Sequence, residues 1–337
     1  MKRTLAIPSA EINGFNYQLS YSSCAFETWR CFDPAMFQRE LTRGKELFPN
    51  MNAVRIWLSW NAWCRGPQRF LDHVSQTLDL CGSLGLAVVP VLFNRWHDSV
   101  LDCDGIYLDH FVPKSSWLQK YGLPGMDFVR DMAHTFGADR RILVWDICNE
   151  PFAYGDDFAR REEIVHYEQD WLRQVAGLLK EGSVLQPVGV GTWRPQCDPL
   201  VNDFVDVFLT HLYLCARADR PCKVLPPENI AAFEEKVRCA ADYAASVGKP
   251  IMTTETCWGS FDDSFRCQLI EHSVRICRKY GLGVFAHALY ESDFADIHRP
   301  EQGRLSPEIG HLEFIRRDGS LRPGHDIINQ FFKQHKQ

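Results

Sequence analysis

The chain has 337 residues, of which 45% are hydrophobic and 24% are charged, as is ordinary for a globular protein with a large core. The formal net charge of −6, spread without long charged runs, argues against nucleic acid and anionic membranes as partners. A chain of this length forms either two domains or one α/β barrel.

The amino terminus and the cysteines favour a cytoplasmic protein. Residues 1–14 include Lys2 and Arg3 but no apolar stretch long enough for a signal peptide. No stretch approaches the roughly eighteen apolar residues of a membrane span. The 13 cysteines are odd in number, and most fall inside predicted strands and helices, where Cys packs as a small apolar residue. We therefore expect reduced thiols. A zinc site is not expected, because the sequence contains no Cys-x-x-Cys pair.

Predicted strands and helices alternate from one end of the chain to the other. Apolar β-prone runs predict the strands, and apolar residues at helical spacing predict the helices. The pair Asp33-Pro34 indicates a capped helix start, and Gly248 and Gly281 indicate helix ends. The predicted strands are 15–21, 53–60, 87–94, the stretch 142–151, 187–193, 207–214, 250–256 and 283–290. The predicted helices are 33–48, 68–84, 126–136, 162–180, a short piece near 200–204, 227–247, 262–280 and 326–335.

This alternation predicts one (β/α)₈ barrel, of the TIM-barrel class, that spans residues 1–337 as a single domain. A doubly wound open sheet is the main alternative. It is disfavoured because no Gly-x-Gly-x-x-Gly turn follows the first strand and no phosphate-binding loop is present. The long segments 95–125 and 291–324 lack clear periodicity. Both follow predicted strands, so we expect them at the face where strand carboxyl ends meet.

Two glutamates stand at the ends of predicted strands. The run Trp145-Asp-Ile-Cys-Asn149-Glu150-Pro151 ends strand four, and Lys249-Pro-Ile-Met-Thr-Thr-Glu255 ends strand seven. In a barrel both carboxylates face the same mouth, and a pair of carboxylates is what glycosidic bond cleavage requires. The alternative for Glu150 is a helix-capping residue in a tight turn.

These motifs resemble the retaining glycoside hydrolases of clan A, and most closely glycoside hydrolase family 5, the cellulases, mannanases and their relatives. The resemblance covers about residues 10–330 and includes Arg55 on strand two, His211-Leu-Tyr213 on strand six and the closing phrase Asp318-Gly-Ser-Leu-Arg-Pro-Gly324. It implies that Glu150 is the general acid and base, with a raised pKa, and that Glu255 is the nucleophile. Retaining pairs lie about 5–5.5 Å apart.

The resemblance also implies a set of substrate-binding residues. Asn149 is expected to donate to the sugar 2-hydroxyl, the alternative being a turn amide. Arg55 lies in an apolar strand, where an unpaired guanidinium is costly, so it needs a carboxylate, and Glu255 is the expected one. Tyr213 is a second expected donor to Glu255. His211 is either a site residue or a core histidine.

Aromatic residues at strand ends are either sugar platforms or core residues, and Trp258 and Trp96 are the preferred platforms. The sequence departs from the family twice. The family places a histidine close to the end of strand three, where this chain has Asn94 and, later, His97. The family ends strand eight in a tryptophan under the substrate, where this chain reads His287-Ala-Leu-Tyr290-Glu291. Tyr290 and Glu291 are candidates there, with a solvated loop as the alternative for Glu291.

The expected function is therefore a cytoplasmic retaining glycosidase that needs no metal and no organic cofactor. Long loops at the mouth and a cytoplasmic location favour exo-action on short oligosaccharides or glycosides. The alternatives are an endo-acting β-glycanase and a non-catalytic sugar-binding barrel. An aldolase or a metal-dependent isomerase on the same fold is disfavoured because Lys249 precedes its strand and no metal-ligand cluster is evident.

Overall fold

Eight parallel strands close into a barrel within the residues that the computed structural model describes, which are 3–95, 104–153, 161–182, 184–214, 224–293 and 310–332. Each strand pairs with the next along the chain, and the eighth pairs with the first. The strands are β1 (Asn13–Asn16), β2 (Ala53–Trp57), β3 (Ala87–Asn94), β4 (Trp145–Asn149), β5 (Val188–Thr192), β6 (Phe208–His211), β7 (Ile251–Thr256) and β8 (Gly283–Ala286). The predicted (β/α)₈ barrel is confirmed, and the open sheet is excluded.

Helices connect the strands on the outside of the barrel. Asp33 caps one of them as predicted, because its side chain accepts hydrogen bonds from the backbone N–H groups of Ala35 and Met36. The helices are α1 (Ala25–Arg30), α2 (Pro34–Leu47), α3 (Trp60–Cys64), α4 (Pro67–Ser83), α5 (Ser116–Tyr121), α6 (Met126–Phe136), α7 (Arg161–Glu181), α8 (Asp198–Val201), α9 (Pro227–Ser246) and α10 (Asp263–Lys279). None of the helices within these described ranges combines the length and the apolarity that a membrane crossing needs.

Three helices were not expected from the sequence, namely α1, α3 and α5. Each has only five or six residues, which is less than two turns and too short for an apolar periodicity to be recognised. The predicted final helix at 326–335 is instead a 3₁₀ helix at His325–Gln330. Most of the strands are shorter than the predicted ones.

The barrel interior is apolar at one end and polar at the other. Val89, Leu209, Met252 and Phe285 belong to an apolar cluster that is separate from the larger core between the strands and the helices. Further along the strands, toward their carboxyl ends, fully buried charged and amide side chains replace these residues inside the barrel. The fold thus places polar groups where parallel strands deliver functional side chains.

The described parts of the two long segments, 104–125 and 310–324, make specific contacts with the barrel. In the first, Asp104 accepts a hydrogen bond from Ser59 Oγ at 3.0 Å, and the N–H of Ile106 donates to the carbonyl of Asn94 at 2.8 Å. Residues 104–106 therefore lie against the carboxyl ends of β2 and β3.

The second long segment departs from the expectation in its described part. Phe314 and Ile315 are fully buried, and the ring of Phe314 packs edge-on against Phe15 at 5.1 Å. The N–H of Ile315 donates to the carbonyl of Leu289. These residues belong to the core outside the strands and do not wall the mouth. His311, which pairs with Ser260 after β7, lies beside the loops of that face.

Candidate active site

Two carboxyl groups meet at the mouth of the barrel. Glu150 directly follows β4, and Glu255 is the second-last residue of β7. One carboxylate oxygen of each glutamate and a ring nitrogen of His211, the last residue of β6, all lie within 4.8 Å of one another. In retaining glycosidases the two carboxyl groups lie about 5–5.5 Å apart, which is close to this spacing.

The backbone of Glu150 has a left-handed conformation, with φ of 51°. A non-glycine residue keeps this conformation only where its surroundings hold it. The N–H of Glu150 donates to the carbonyl of Gly191 on β5 at 2.7 Å, and the N–H of Phe152 donates to the buried carboxylate of Glu168 at 3.0 Å. These contacts fix the turn after β4 and so aim the side chain of Glu150 at the mouth.

The surroundings of Glu150 favour its protonated form. Burial raises the pKa of Glu150 to about 7, and the positive charge of Arg55 only partly opposes this shift. His211 Nδ1 lies 2.8 Å from Glu150 Oε1 and 3.4 Å from Glu255 Oε2. Burial lowers the pKa of His211 to about 3, so its ring is neutral near pH 7. A neutral ring keeps the proton on Glu150 more readily than an imidazolium would.

The surroundings of Glu255 favour its ionised form. Tyr213 Oη donates to Glu255 Oε2 at 2.8 Å, and Arg55 Nη1 donates to Glu255 Oε1 at 2.7 Å, as the sequence led us to expect. Burial raises the pKa of Glu255, but the neighbouring His211, His287 and Arg55 more than offset it, so the pKa lies below its usual range. Of these three neighbours, Arg55 is the one whose positive charge does not titrate near pH 7.

Arg55 is fully buried inside the barrel and uses its whole guanidinium group. Nε donates to Asp146 at 2.9 Å, Nη1 also donates to Asn16 at 3.0 Å, and Nη2 donates to Asn149 Oδ1 at 2.7 Å. Gly191 on β5 makes room for the Arg55–Asp146 pair, since a Cβ atom there would lie 2.9 Å from Arg55 Nη2 and from Asp146 Oδ2. Arg55 therefore joins four strands into one rigid support for Glu255.

The amide of Asn149 has a defined orientation because Arg55 can only donate hydrogen bonds. Asn149 Oδ1 must face Arg55, and Asn149 Nδ2 donates to Asn94 Oδ1 at 3.1 Å. Among the described residues, no other acceptor takes the second hydrogen of this amide, and Asn149 directly precedes Glu150. Asn94, at the end of β3, thus stands at the site as a neighbour of Asn149, whereas Trp96 and His97 lie outside the described residues.

Aromatic rings line the mouth next to Glu255. Tyr213 packs edge-on against the half-buried Trp258 at 4.9 Å. On the opposite side, Trp57 packs edge-on against His287 at 6.0 Å, and the guanidinium of Arg55 lies 4.8 Å from the ring centre of Trp57. Trp258 is therefore placed where a sugar platform would be useful.

Two candidates from strand eight are not brought to the carboxylates. Tyr290 is 5% exposed and belongs to the outer core, where it pairs with Ile315. Glu291 accepts a hydrogen bond from the N–H of Arg317 at 3.2 Å, and its own N–H donates to the carbonyl of Ile315. Both sit on the segment that packs against the outside of the barrel, because β8 ends at Ala286 instead of continuing to Tyr290.

Three residues near the carboxylates were not singled out from the sequence: Asn16, Asp146 and His287. Asp146 could have been identified from the sequence as a partner of Arg55. A guanidinium buried inside a barrel needs more than one acceptor, and Asp146 lies inside an apolar strand. His287 is the first polar residue after the apolar run of β8. The amide of Asn16 gave no comparable signal.

The spacing of Glu150, His211 and Glu255 also matches that of metal ligands. One oxygen of Glu255 already accepts from the guanidinium of Arg55, which supplies positive charge in the position where a cation would otherwise be needed. The arrangement thus suits two carboxyl groups in different protonation states better than a metal centre.

The family model for cellulase, glycosyl hydrolase family 5, matches residues 47–291, a range that covers well over half of the chain and includes both glutamates. No curated protein sequence matches the chain significantly. Among solved structures, an exo-β-1,4-mannosidase from Opitutaceae bacterium strain TAV5 is similar with a TM-score of 0.72 and 17% identity, over 95% of this chain and 58% of that chain.

Two further structures are similar over nearly their whole length. A family 5 lichenase from Caldicellulosiruptor sp. F32 has a TM-score of 0.69 and 15% identity, over 98% of this chain and 97% of that chain. A broad-specificity endoglucanase from Ruminococcus champanellensis has a TM-score of 0.65 and 13% identity, over 97% and 99% of the two chains. At these identities the structures support the fold alone. The family match, which is independent of them, shows that the chain belongs to glycosyl hydrolase family 5 and is a glycoside hydrolase.

Proposed function

We propose that the protein is a retaining glycosidase in which Glu150 is the general acid and base and Glu255 is the nucleophile. The observation that carries the proposal is the pair of carboxyl groups, which lie within 4.8 Å of each other in opposite electrostatic environments. Burial raises the pKa of Glu150 to about 7, whereas for Glu255 burial is outweighed by the neighbouring His211, His287 and Arg55, which lower its pKa. Two carboxyl groups whose pKa values are pushed apart define an acid and a base.

In the first step, protonated Glu150 donates its proton to the glycosidic oxygen while Glu255 attacks the anomeric carbon. The bond to the leaving group breaks, and a covalent glycosyl-enzyme forms on Glu255. Asn149 is positioned to donate its remaining amide hydrogen to the 2-hydroxyl of the sugar, because Arg55 and Asn94 hold the amide in place. This hydrogen bond strengthens as the ring approaches the oxocarbenium-like transition state.

In the second step, ionised Glu150 removes a proton from a water molecule that attacks the anomeric carbon and releases Glu255. The two inversions give net retention of configuration. Tyr213 and Arg55 stabilise Glu255 as a leaving group, since both donate to its carboxylate oxygens. The proton lost in the first step returns to Glu150, so one carboxyl group serves both steps.

For the substrate, we propose exo-action on short oligosaccharides or glycosides. Residues 104–106 cover the ends of β2 and β3, which closes one side of the mouth and favours a pocket over an open groove. The similarity to the exo-β-1,4-mannosidase is consistent with this proposal, whereas the lichenase and the endoglucanase are consistent with the endo-acting alternative. A cytoplasmic location, where short imported glycans are the available substrates, stays a prediction.

The roles of the two glutamates are tested by Glu255→Ala and Glu150→Ala. Glu255→Ala should abolish turnover, and added azide should restore it by occupying the space of the carboxylate, with a glycosyl azide of inverted configuration as the product. Glu150→Ala should keep most of its first-step rate on 2,4-dinitrophenyl glycosides, because a good leaving group needs no proton. Equal losses on all substrates for both variants, without azide rescue, would overturn the assignment.

A non-catalytic sugar-binding barrel, the alternative that the sequence left open, is not supported, because the chain belongs to a family of glycoside hydrolases. The test above separates the two, because such a protein would bind sugars and turn over no substrate in its native form. The presence of both glutamates, with Arg55 and Tyr213 holding one of them, favours the enzyme.

A further inference from the structure

A buried ion pair stands behind the turn that carries Glu150. Glu168 on α7 is fully buried, and Arg95, which directly follows β3, is 7% exposed. Arg95 Nε lies 3.0 Å from Glu168 Oε1. A buried ion pair gives a fold little net stability compared with apolar side chains of similar volume. The groups that the two residues contact therefore indicate their role.

The two residues hold the turn after β4 on both sides of Glu150. The backbone N–H of Arg95 donates to the carbonyl of Asn149 at 3.0 Å. The second carboxylate oxygen of Glu168, Oε2, accepts from the backbone N–H of Phe152 at 3.0 Å. Asn149 directly precedes Glu150, and Phe152 follows it by two positions. The ion pair thus fixes the backbone before and after the general acid.

The turn needs such support because its backbone is strained. Glu150 has a φ of 51° and Phe152 has a φ of 65°, both in the left-handed region that residues with a side chain rarely adopt. Glu150 also precedes Pro151, and a residue before proline ordinarily takes an extended conformation. A strained conformation persists only where neighbouring groups hold it. Loosening the contact at Phe152 would therefore let the turn relax and displace the carboxyl group of Glu150.

The ion pair is itself enclosed by aromatic rings. The guanidinium of Arg95 lies 5.8 Å from the ring centre of Phe111. Phe111 stacks on Trp171, which lies on α7 three residues after Glu168, with 5.8 Å between the ring centres. Both rings are almost completely buried. Helix α7 and the segment after β3 therefore keep the two charged residues together.

We propose that Glu168 is a positioning residue that, paired with Arg95, holds the general acid Glu150 within reach of the glycosidic oxygen. This inference rests on the proposed function, since it takes the acid role of Glu150 from there. It adds a requirement outside the barrel mouth, because Glu168 stands on an outer helix and acts on Glu150 through the backbone. Proton transfer demands hydrogen-bonding distance, so a displaced turn weakens acid catalysis and leaves the nucleophile in place.

Leaving groups of different basicity separate this positioning role from a structural one. Glu168→Met removes the acceptor for the N–H of Phe152 but keeps a side chain of similar length. On phenyl glycosides, whose leaving group needs a proton, its kcat/KM should fall about 10-fold to 100-fold. On 2,4-dinitrophenyl glycosides, which need no proton, kcat/KM should fall by less than about 3-fold.

Glu168→Gln is the conservative variant and keeps the size of the side chain. Its amide oxygen still accepts from Phe152, but it loses the charge that pairs with Arg95. On phenyl glycosides it should therefore lose only about 3-fold to 10-fold in kcat/KM, again with little loss on 2,4-dinitrophenyl glycosides. If thermal unfolding shows that Glu168→Met does not fold, this variant decides the question by the same comparison.

Azide gives a second readout, because Glu150 is also the base of the second step. With a 2,4-dinitrophenyl glycoside this step should limit kcat in Glu168→Met, since a displaced carboxylate activates water poorly. Azide needs no base. It should therefore raise the kcat of the variant and give a glycosyl azide of retained configuration, while the kcat of the wild type stays unchanged.

Asp170→Asn is the matched control on the same helix. The side chain of Asp170 is 66% exposed and pairs with Arg173 at the surface. This variant should keep the kcat/KM of the wild type on both glycosides and should not respond to azide.

The outcomes distinguish this inference from the proposed function. Glu150→Ala, measured beside the Glu168 variants, shows the leaving-group dependence that loss of the acid causes. If that dependence appears in Glu150→Ala, whereas Glu168→Met and Glu168→Gln are unchanged or lose equally on both glycosides without azide rescue, only the role of Glu168 is refuted. A wild type that hydrolyses neither glycoside, or a Glu150→Ala variant without this dependence, would refute the acid assignment and this inference together.

Discussion

Arg55 Nη1 lies 2.7 Å from Glu255 Oε1, although the two residues stand on β2 and β7. The Nε atom of the same guanidinium donates to Asp146, so one cation pairs with two carboxylates inside the barrel. Both carboxylates are almost inaccessible to solvent, with side-chain exposures of 0% for Asp146 and 8% for Glu255. The ionised nucleophile therefore depends on Arg55 and not on water.

Replacing Arg55 by methionine should impair both activity and stability. Two buried carboxylates would lose their common cation, and breaking such a pair costs about 3–5 kcal/mol. The pKa of Glu255 should rise, so the acidic limb of the pH dependence of kcat/KM should move to higher pH. Chemical denaturation and the pH profile measure the two effects.

Arg130→Met is the matched control for that experiment. Its ion pair with Asp127 is exposed, with side-chain exposures of 57% and 82%. Exposed pairs contribute less than about 1 kcal/mol, so stability and pH profile should both stay close to those of the wild type. An unchanged acidic limb in Arg55→Met would show that the arginine has a structural role only.

The basic limb of the pH profile should report Glu150. Burial raises the pKa of Glu150 to about 7, and the acid must carry its proton for the first step. The value of kcat/KM should therefore fall as the pH rises through about 7 when the leaving group needs protonation. With a 2,4-dinitrophenyl leaving group this limb should disappear. The same basic limb for both substrates would mean that another group controls it.

Asp198 joins the ends of β5 and β6 from a fully buried position. It accepts hydrogen bonds from Thr192 Oγ1 and Thr210 Oγ1, both at 2.6 Å, and Thr210 precedes His211. Burial raises the pKa of Asp198 to about 7, because the two hydroxyl groups do not compensate for the lost solvation. The folded protein therefore holds a proton here that the unfolded chain releases near pH 4.

We expect Asp198→Asn to stabilise the protein at pH 8. The folded-state pKa lies above the unfolded value, so the stability of the wild type declines as the pH rises from about 4 to about 7. A neutral amide of the same size avoids this loss. The free energy of unfolding should therefore rise by on the order of 1–4 kcal/mol at pH 8, and by less than half as much at pH 5. Urea unfolding at pH 5 and pH 8 measures this free energy.

Asp242→Asn serves as the control, since this carboxylate is exposed on α9 and pairs with Arg238 at the surface. It should show no pH-dependent gain. A gain for Asp198→Asn that is equal at pH 5 and pH 8 would indicate a cause other than the buried charge.

The sequence predicted most of the barrel because the strands are continuous apolar runs and the long helices have capping residues. It also predicted the contact between Arg55 and Glu255, since a buried guanidinium needs a carboxylate and only a few carboxylates stand at strand ends.

The end of β8 was harder to predict from the sequence. The apolar run through Leu289 suggested a strand that continues to Tyr290, but pairing stops at Ala286 and the chain then joins the outer core.

The remaining differences between the predictions and the structure have one physical origin, which is tertiary packing that leaves no local pattern in the sequence. The helices α1, α3 and α5 are too short for periodicity, and Phe314 is buried by contacts with rings far away in the chain, among them Phe15 and Phe48. The contact between His287 and Trp57, which lies on β2, became visible only in the structure, because sequence patterns do not contain contacts between distant strands.

The products of an oligosaccharide should show whether the site is a pocket. The segment that covers β2 and β3 closes one side of the mouth, and an enclosed subsite reads many hydroxyls of one terminal sugar. We therefore expect monosaccharide from the first turnover, released from the non-reducing end. Chains labelled at the reducing end should shorten by one sugar at a time, so that the labelled product stays long early in the reaction. An early spread of labelled products of intermediate length would require an open groove, because only a groove lets a chain extend on both sides of Glu150 and Glu255.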